Sequence, residues 1–372
     1  VTTGSPAAAH DADAPVDVVC LGESMVTFVP TRPGRLADVP AFARTIGGAE
    51  SNVACALAAA GHRTRWVSRV GADGFGDHLI EAIGSYGVDV RAVRRDPERP
   101  TGVYFRTADD RAADGHEVLY YRAGSAASAM APANVPRRDL WAGRILHLSG
   151  ITAALSEDCL ALMSDLMARP SPDHRPSPSR SAAPLLGGPG RPLVSFDVNH
   201  RPGLWRDAVG PRVLLELARG ADLVFVGEDE AEAAWGLRGA DAIRAALPEP
   251  EVLVVKRGAA GATVFAREDG AAGAMGAGCH APSPRVDVVA PVGAGDAFAA
   301  GFLSATLRGL AVRDRIRHGH LMAAAVLTVP GDLTQPPARA HADRLVALDD
   351  TAWGRLRLGP GWTGDDQEVR TR

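Results

Sequence analysis

Short apolar runs alternate with longer segments of helical spacing from residue 16 to residue 256. The first run, Val16–Leu21, is β-branched and stops at Gly22, the pattern of a buried strand. Residues 52–60 are alanine-rich and unbroken until Gly61, which predicts a helix closed by a glycine cap. A strand over 65–70, a turn at 71–76 and a helix over 77–86 follow. The series resumes with strands at 144–148, Leu193–Asp197, 223–226 and Val252–Lys256. Helices at 157–169, 211–219 and Glu228–Trp235 stand between them. This alternation predicts an α/β fold, with a mostly parallel central sheet flanked by helices on both faces.

Two stretches break the rhythm. Residues 25–44 and 101–122 carry alternating and aromatic residues without a helical period, among them Val103, Phe105, Leu119 and Tyr121. They are expected to leave the main sheet as hairpins of a small β-sheet lid. Residues 169–192 are rich in Pro, Ser and Gly and bury little, so a mobile insertion is expected there. Residues 1–15 are expected to be a disordered tail and 349–372 a loose C-terminal tail, which leaves one domain over 16–348.

Composition narrows the class. The chain has 372 residues, 46% hydrophobic and 23% charged, ordinary for a globular protein with a sizeable core. A formal charge of −4 gives no electrostatic reason to bind nucleic acid or an anionic membrane. No apolar run reaches the roughly 18 residues of a membrane span. Cys20, Cys55, Cys159 and Cys279 are widely spaced, with no CxxC pair. That argues against a disulfide framework or a metal site and for a reduced, cytoplasmic protein. All but one of the 40 basic residues are arginine; the exception, Lys256, ends a predicted strand.

The strongest chemical signal is Ala290-Pro291-Val292-Gly293-Ala294-Gly295-Asp296, running into an apolar helix. Glycines at the bend let backbone N–H groups converge, and the helix N-terminus adds positive partial charge, which together suit a phosphate. A carboxylate there can take the proton of a hydroxyl attacking phosphorus. A bare GxGD reads as readily as a turn with a capping Asp; its place after a full α/β series favours the chemistry. The pair Gly47-Gly48 with Asn52 suits close approach to a ligand, and equally a turn with an Asn cap. Lys256-Arg257-Gly258 with Gly261 suits a loop passing a nucleotide. It is not a Walker A loop, since no GxxxxGK[ST] occurs.

In order and rough spacing these three motifs resemble those of ribokinase-like (phosphofructokinase-B type) carbohydrate kinases, over residues 17–348. Within that family the chain is most similar to 2-keto-3-deoxygluconate kinases. The matching text near the start is Gly22-Glu23-Ser24-Met25, Thr101-Gly102-Val103-Tyr104 and Tyr120-Tyr121-Arg122-Ala123-Gly124-Ser125-Ala126. Farther on it is His147-Leu148-Ser149-Gly150-Ile151 and Asp197-Val198-Asn199-His200-Arg201, followed by Leu204-Trp205.

The resemblance implies a ribokinase-like fold and ATP-dependent phosphorylation of a sugar acid on its primary hydroxyl. It implies Asp296 as proton acceptor, with Gly293, Ala294 and Gly295 forming the anion hole. Gly48, Tyr104, Tyr120, Arg122, Arg201, Asp296 and Asp332 would meet the sugar acid. Asn199, Arg201, Lys256, Gly258, Gly261, Gly293, Ala294, Gly295 and His320 would line the nucleotide. Mg²⁺ would bridge the phosphates, reached through water near Glu230. ATP and the sugar acid are the implied partners, and a homo-oligomer is possible.

One physical argument favours an acid. Ribose-type members place an Asp where this chain has Glu23-Ser24, while two arginines, which can hold a carboxylate bidentately, arrive in pocket segments. A kinase for a neutral sugar such as fructose is the alternative, and a non-catalytic sugar-binding regulator a more distant one. Departures from the family pattern at Gly227, His320 and Pro330 bear on the nucleotide more than on the chemistry.

Overall fold

The apolar runs are continuous because each central strand is covered on both faces. Val18, Cys20, Trp66, Ile145, Phe225 and Val254 pack with the helices Ala49–Ala59, Gly74–Ser85, Ala294–Leu307 and Val312–Leu327. Their neighbours along the strands, among them Val19, Leu21, Leu146, Phe196, Val224 and Leu253, turn to the opposite face. There they meet Glu157–Met167, Val209–Gly220 and Glu228–Trp235. This structure, a computed structural model, describes residues 15–107, 117–168, 191–205, 209–266 and 277–364.

Strands run in chain order as β1 Val16–Leu21, β2 Met25–Pro30, β3 Phe42–Gly47, β4 Thr64–Gly71, β5 Val93–Asp96, β6 Val103–Arg106 and β7 Val118–Tyr121. They continue with β8 Gly143–Ser149, β9 Leu193–Asp197, β10 Leu223–Gly227, β11 Val252–Lys256, β12 Ala262–Ala266 and β13 Cys279–Ala281. The nine-stranded sheet has the order β13-β12-β11-β10-β9-β8-β1-β4-β5. Every pair from β11 to β5 is parallel, and β12 and β13 add an antiparallel edge. The expected α/β architecture is therefore present.

The small sheet is present too, in the order β3-β2-β6-β7. Its register sets Tyr104 opposite both Thr27 and Tyr120. With a period of two, Arg106 and Arg122 fall on the same face as the tyrosines. The other face is aromatic: Phe28 stacks on Phe105 at 4.8 Å, and Phe42 and Tyr121 meet Phe105 edge-on.

Some boundaries move. The first helix starts at Ala49, which draws Glu50 and Asn52 into its opening turns. The helix expected at 77–86 begins at Gly74, because Asp73 accepts from the N–H groups of Phe75 and Gly76 at 3.0 and 2.8 Å.

The reading of 349–372 as a loose tail is corrected over its described part. Asp349 caps the helix Asp350–Arg355, and Arg357–Leu358 pairs in parallel with Arg285–Val286. Trp353 is fully buried and its indole N–H donates to Pro282 O at 2.8 Å, with Leu356, Leu358 and Trp362 packed beside it. Two tryptophans bury enough apolar surface to hold a segment that its length alone makes look dispensable. Residues 1–14 and 365–372, 169–190 of the expected insertion and 108–116 of the second hairpin lie outside the described residues.

Candidate active site

In an open α/β sheet the functional crevice lies beyond the carboxyl ends of the parallel strands. Here those ends deliver Gly22 and Glu23 after β1, Asp197 on β9, Gly227 on β10 and Lys256 on β11. Opposite them stands the start of the Ala294–Leu307 helix.

Gly293 is the N-cap of that helix, in left-handed backbone at φ 74°. A Cβ there would also come within 2.6 Å of the carbonyl oxygen of Asp332, so only glycine fits. The first helical N–H group to find a partner inside the turn is that of Ala297, on Gly293 O. Those before it point out of the helix end. The nearest atom a Cβ on Gly295 would meet is Lys256 Nζ, at 3.6 Å, so this face opens onto the amine.

Asp296 accepts a hydrogen bond from Asn52 Nδ2 at 2.9 Å. Burial pushes its carboxyl up to about 7; the Asn52 bond pulls the other way and Asp197 adds to the rise. Asn52 thus holds the candidate base, a role its motif did not specify. Lys256 Nζ donates to Asp197 at 2.8 and 3.2 Å. Burial opposes its charge, but Asp197 and Glu230 hold it protonated, above its ordinary value. Glu230 is itself raised, chiefly by burial. Its Oε2 accepts from Gly227 N at 2.8 Å, and its Oε1 lies 3.9 Å from Arg201 Nη1.

Asn199, two residues past Asp197, is the one non-glycine with positive φ among the described residues, at 42°. Asparagine tolerates that backbone better than most. Its Oδ1 is buried without a partner. Gly258 and Gly261 form the tight turn between β11 and β12, and a Cβ on Gly261 would strike Ala281 O at 2.3 Å.

On the acceptor side the glycine pair serves the protein's own packing. A Cβ on Gly48 would lie 2.5 Å from Glu23 O, and one on Gly47 would lie 2.2 Å from the Tyr104 hydroxyl. Tyr104 and Tyr120 face each other at 5.4 Å, with the Arg122 guanidinium 5.7 Å from the Tyr120 ring. Arg122 is not an isolated cation: Nη2 is ion-paired with the fully buried Glu23, whose Oε1 also accepts from Ser125 Oγ at 2.5 Å. Its Nε is buried with no partner, a donor still to be used. Arg201 is freer, with its side chain 55% exposed.

Two members of this neighbourhood escaped the sequence reading. Arg106 donates to Asp332 Oδ1 at 3.0 Å. Glu50 is buried, accepts from Thr152 Oγ1 at 2.5 Å and is pushed up to about 8 by burial. Its carboxyl fills the space where Gly22 has no side chain; a Cβ there would come within 2.0 Å of Glu50 Cδ. His320 stands apart from the charged cluster. Its Nε2 lies 3.2 Å from Ala281 O, its ring packs edge-on against Phe298, and burial pulls it down to about 4. Among the described residues no group of His, Cys, Asp and Glu side chains is arranged to hold a metal by itself.

A buried carboxylate beside an open helix N-terminus and a protonated amine suits one class of chemistry, transfer of a phosphoryl group to an alcohol. Comparison with known proteins gives the family. The chain belongs to the pfkB family of carbohydrate kinases, whose model matches residues 16–177 and 194–339. It is 35% identical over 334 residues to 2-dehydro-3-deoxygluconokinase of Bacillus subtilis, covering 87% of this chain and 93% of that one. It is also 30% identical over 291 residues to fructokinase-1 of Oryza sativa, covering 77% and 81%. Among solved structures, a PfkB protein from Polaromonas sp. JS666 superposes with a TM-score of 0.69 at 33% identity, covering 90% and 100%. A sugar kinase from Pyrococcus horikoshii, solved with ATP, gives 0.70 at 24% identity, covering 90% and 98%.

Proposed function

We propose that this carbohydrate kinase transfers the γ-phosphoryl group of ATP to the primary hydroxyl of 2-keto-3-deoxygluconate. The observation that carries the chemistry is Asp296, held by Asn52 at the mouth of an open helix N-terminus facing Lys256. The hydroxyl oxygen attacks the γ-phosphorus, its proton passes to ionised Asp296, and the bond to the bridging oxygen breaks as ADP leaves. N–H groups at the helix start and the Lys256 ammonium stabilise charge developing on the phosphoryl oxygens. The β11–β12 turn with Gly258 and Gly261, together with Asn199, borders the nucleotide. Further charge neutralisation would come from Mg²⁺ bound with ATP. Glu230 Oε1, 3.9 Å from Arg201 Nη1, and Asn199 Oδ1, buried without a partner, would serve as acceptors for its water shell.

The acid is supported by the Bacillus subtilis relative, by the unspent Arg122 Nε and by the exposed Arg201. Two observations favour a neutral sugar instead: Glu23 already neutralises Arg122, and a fructokinase is among the relatives. Free cysteines at positions 20, 55, 159 and 279 fit a reducing cytoplasm. ADP release over a panel of sugar acids and neutral ketoses separates the two substrates. Turnover at least about tenfold better with 2-keto-3-deoxygluconate is expected; better turnover with fructose would overturn the acid.

A further inference from the structure

The lid face that bears Tyr104 and Tyr120 reaches the catalytic crevice through a second cation. Arg106 stands two residues past Tyr104 on β6, so the same pleat turns both inward. Its Nη2 lies 3.0 Å from Asp332 Oδ1, with 6% and 12% of the two side chains exposed. Asp332 also forms one wall of the helix start, since its carbonyl oxygen occupies the space that a Cβ on Gly293 would need. It lines a small cavity together with Asn52 and Ala297, so the loop bearing it borders both the anion hole and the partner of Asp296. A chain of direct contacts therefore runs from β6 through Arg106 and Asp332 to Gly293. The other arginine of this face, Arg122, ties the far end of the lid to Glu23 after β1.

A buried ion pair is a poor source of stability, because desolvating both charges offsets most of their attraction. What it fixes is registry between the two elements it joins. We propose that Arg106 is a positioning residue for phosphoryl transfer, acting through Asp332 so that the anion hole takes its working shape only while the lid is docked. This rests on reading Asp296 and residues 293–295 as the transfer site. A docked lid also keeps water from the γ-phosphorus, where a water oxygen would otherwise replace the sugar hydroxyl and release inorganic phosphate with ADP.

The test compares wild type with R106Q, R106K, D332N and R106Q/D332N, measuring sugar phosphate formed and ADP released at saturating ATP. Wild type should release one ADP per sugar phosphate. R106Q should lose kcat by about 10- to 100-fold, the scale of a misplaced but intact site. The KM for sugar should stay within about threefold, and ADP per sugar phosphate should exceed about two. R106K should recover part of the loss. The double variant should be no worse than the poorer single one, because both act through one contact. It removes both charges of this pair together, so it decides the matter if a single variant fails to fold. A purely structural pair would lower melting temperature and active fraction but leave the ADP ratio at one. That result, or R106Q within about threefold of wild-type kcat, overturns the proposal. A wild type without sugar-dependent turnover would instead bring down the site reading, and this inference with it.

Discussion

The start of the Ala294–Leu307 helix and the inner face of the lid solve the same problem by different means. At the helix start, charge is handled by backbone: glycines at 293 and 295, open N–H groups, and one carboxylate held by Asn52. On the lid, charge is handled by long side chains, each borrowed across a gap: Arg106 to Asp332 and Arg122 to Glu23. In the first arrangement the glycines and the carboxylate are neighbours in sequence, and only Asn52 comes from afar. The second exists only once β6 and β7 are in register over the core. On the proposed reading, transition-state charge is met at the helix start, while the lid selects among sugars through Arg122 and holds that start in shape through Arg106.

The largest effect should come from the helix start. Asp296→Asn keeps the Asn52 hydrogen bond but cannot take the proton, and should cut kcat by about 10²–10⁴-fold while nucleotide binding, measured by titration calorimetry, is kept. It should also raise stability. The carboxyl titrates at about 7 in the fold against the usual 3.8, so the folded state holds its proton more tightly than the unfolded one. That contribution is full below about 3.8 and is lost as pH rises through 7. Asparagine has nothing to lose, so the variant should melt higher than wild type at about pH 8, and the gap should close in acid. A variant within about threefold of wild-type kcat would remove Asp296 from its role.

Arg122 on the lid should show a smaller and more selective loss. Arg122→Gln should weaken use of the sugar acid by about tenfold or more in kcat/KM and a neutral ketose much less. Glu23 would be left buried without its cation, so the same variant should lose about 3 kcal/mol of stability in denaturant unfolding. Equal kinetic losses on both substrates would make the lid arginine a structural clasp and leave the acid resting on its relatives.

A finer test joins the two regions. The Asn52 hydrogen bond lowers the Asp296 carboxyl. In wild type kcat/KM should therefore rise with pH through about 7 and level off, and Asn52→Ala should move that limb to higher pH. An unmoved limb would assign it to another group. The smallest effect is expected from replacing residues 169–192 by a short Gly/Ser loop. Ala168 on one side closes the helix Glu157–Met167, and Leu193 on the other opens β9, at the opposite end of that strand from Asp197. Steady-state kcat should change by less than about twofold.

The same contrast explains what could be read from sequence. The central sheet was legible because a strand buried on both faces is a continuous apolar run bounded by glycine. The helix start was legible because its glycines, its carboxylate and its helix are neighbours in the chain. Asn52 was visible as a motif member, yet its partner lies 244 residues away, and nothing local names Asp296 as its target. Arg106 left a usable trace, since two residues past Tyr104 on a strand means the same face. Its partner Asp332 depends on how the lid docks. Glu50 was hidden because an acid in a first helical turn is ordinary surface chemistry, and only the missing side chain of Gly22 makes room to bury it. The segment from Asp349 onward was underrated because Trp353 and Trp362 are widely spaced and the surface that receives them, including Pro282, comes from far upstream.

The most direct measurement is the phosphorus NMR spectrum of the product made from ATP and 2-keto-3-deoxygluconate, by wild type and by Asp296→Asn under the same conditions. The account predicts a phosphomonoester resonance split by the two protons of a primary carbon, strong with wild type and nearly absent with the variant. Inorganic phosphate alone, an ester split by a single proton, or equal product from both proteins would contradict it.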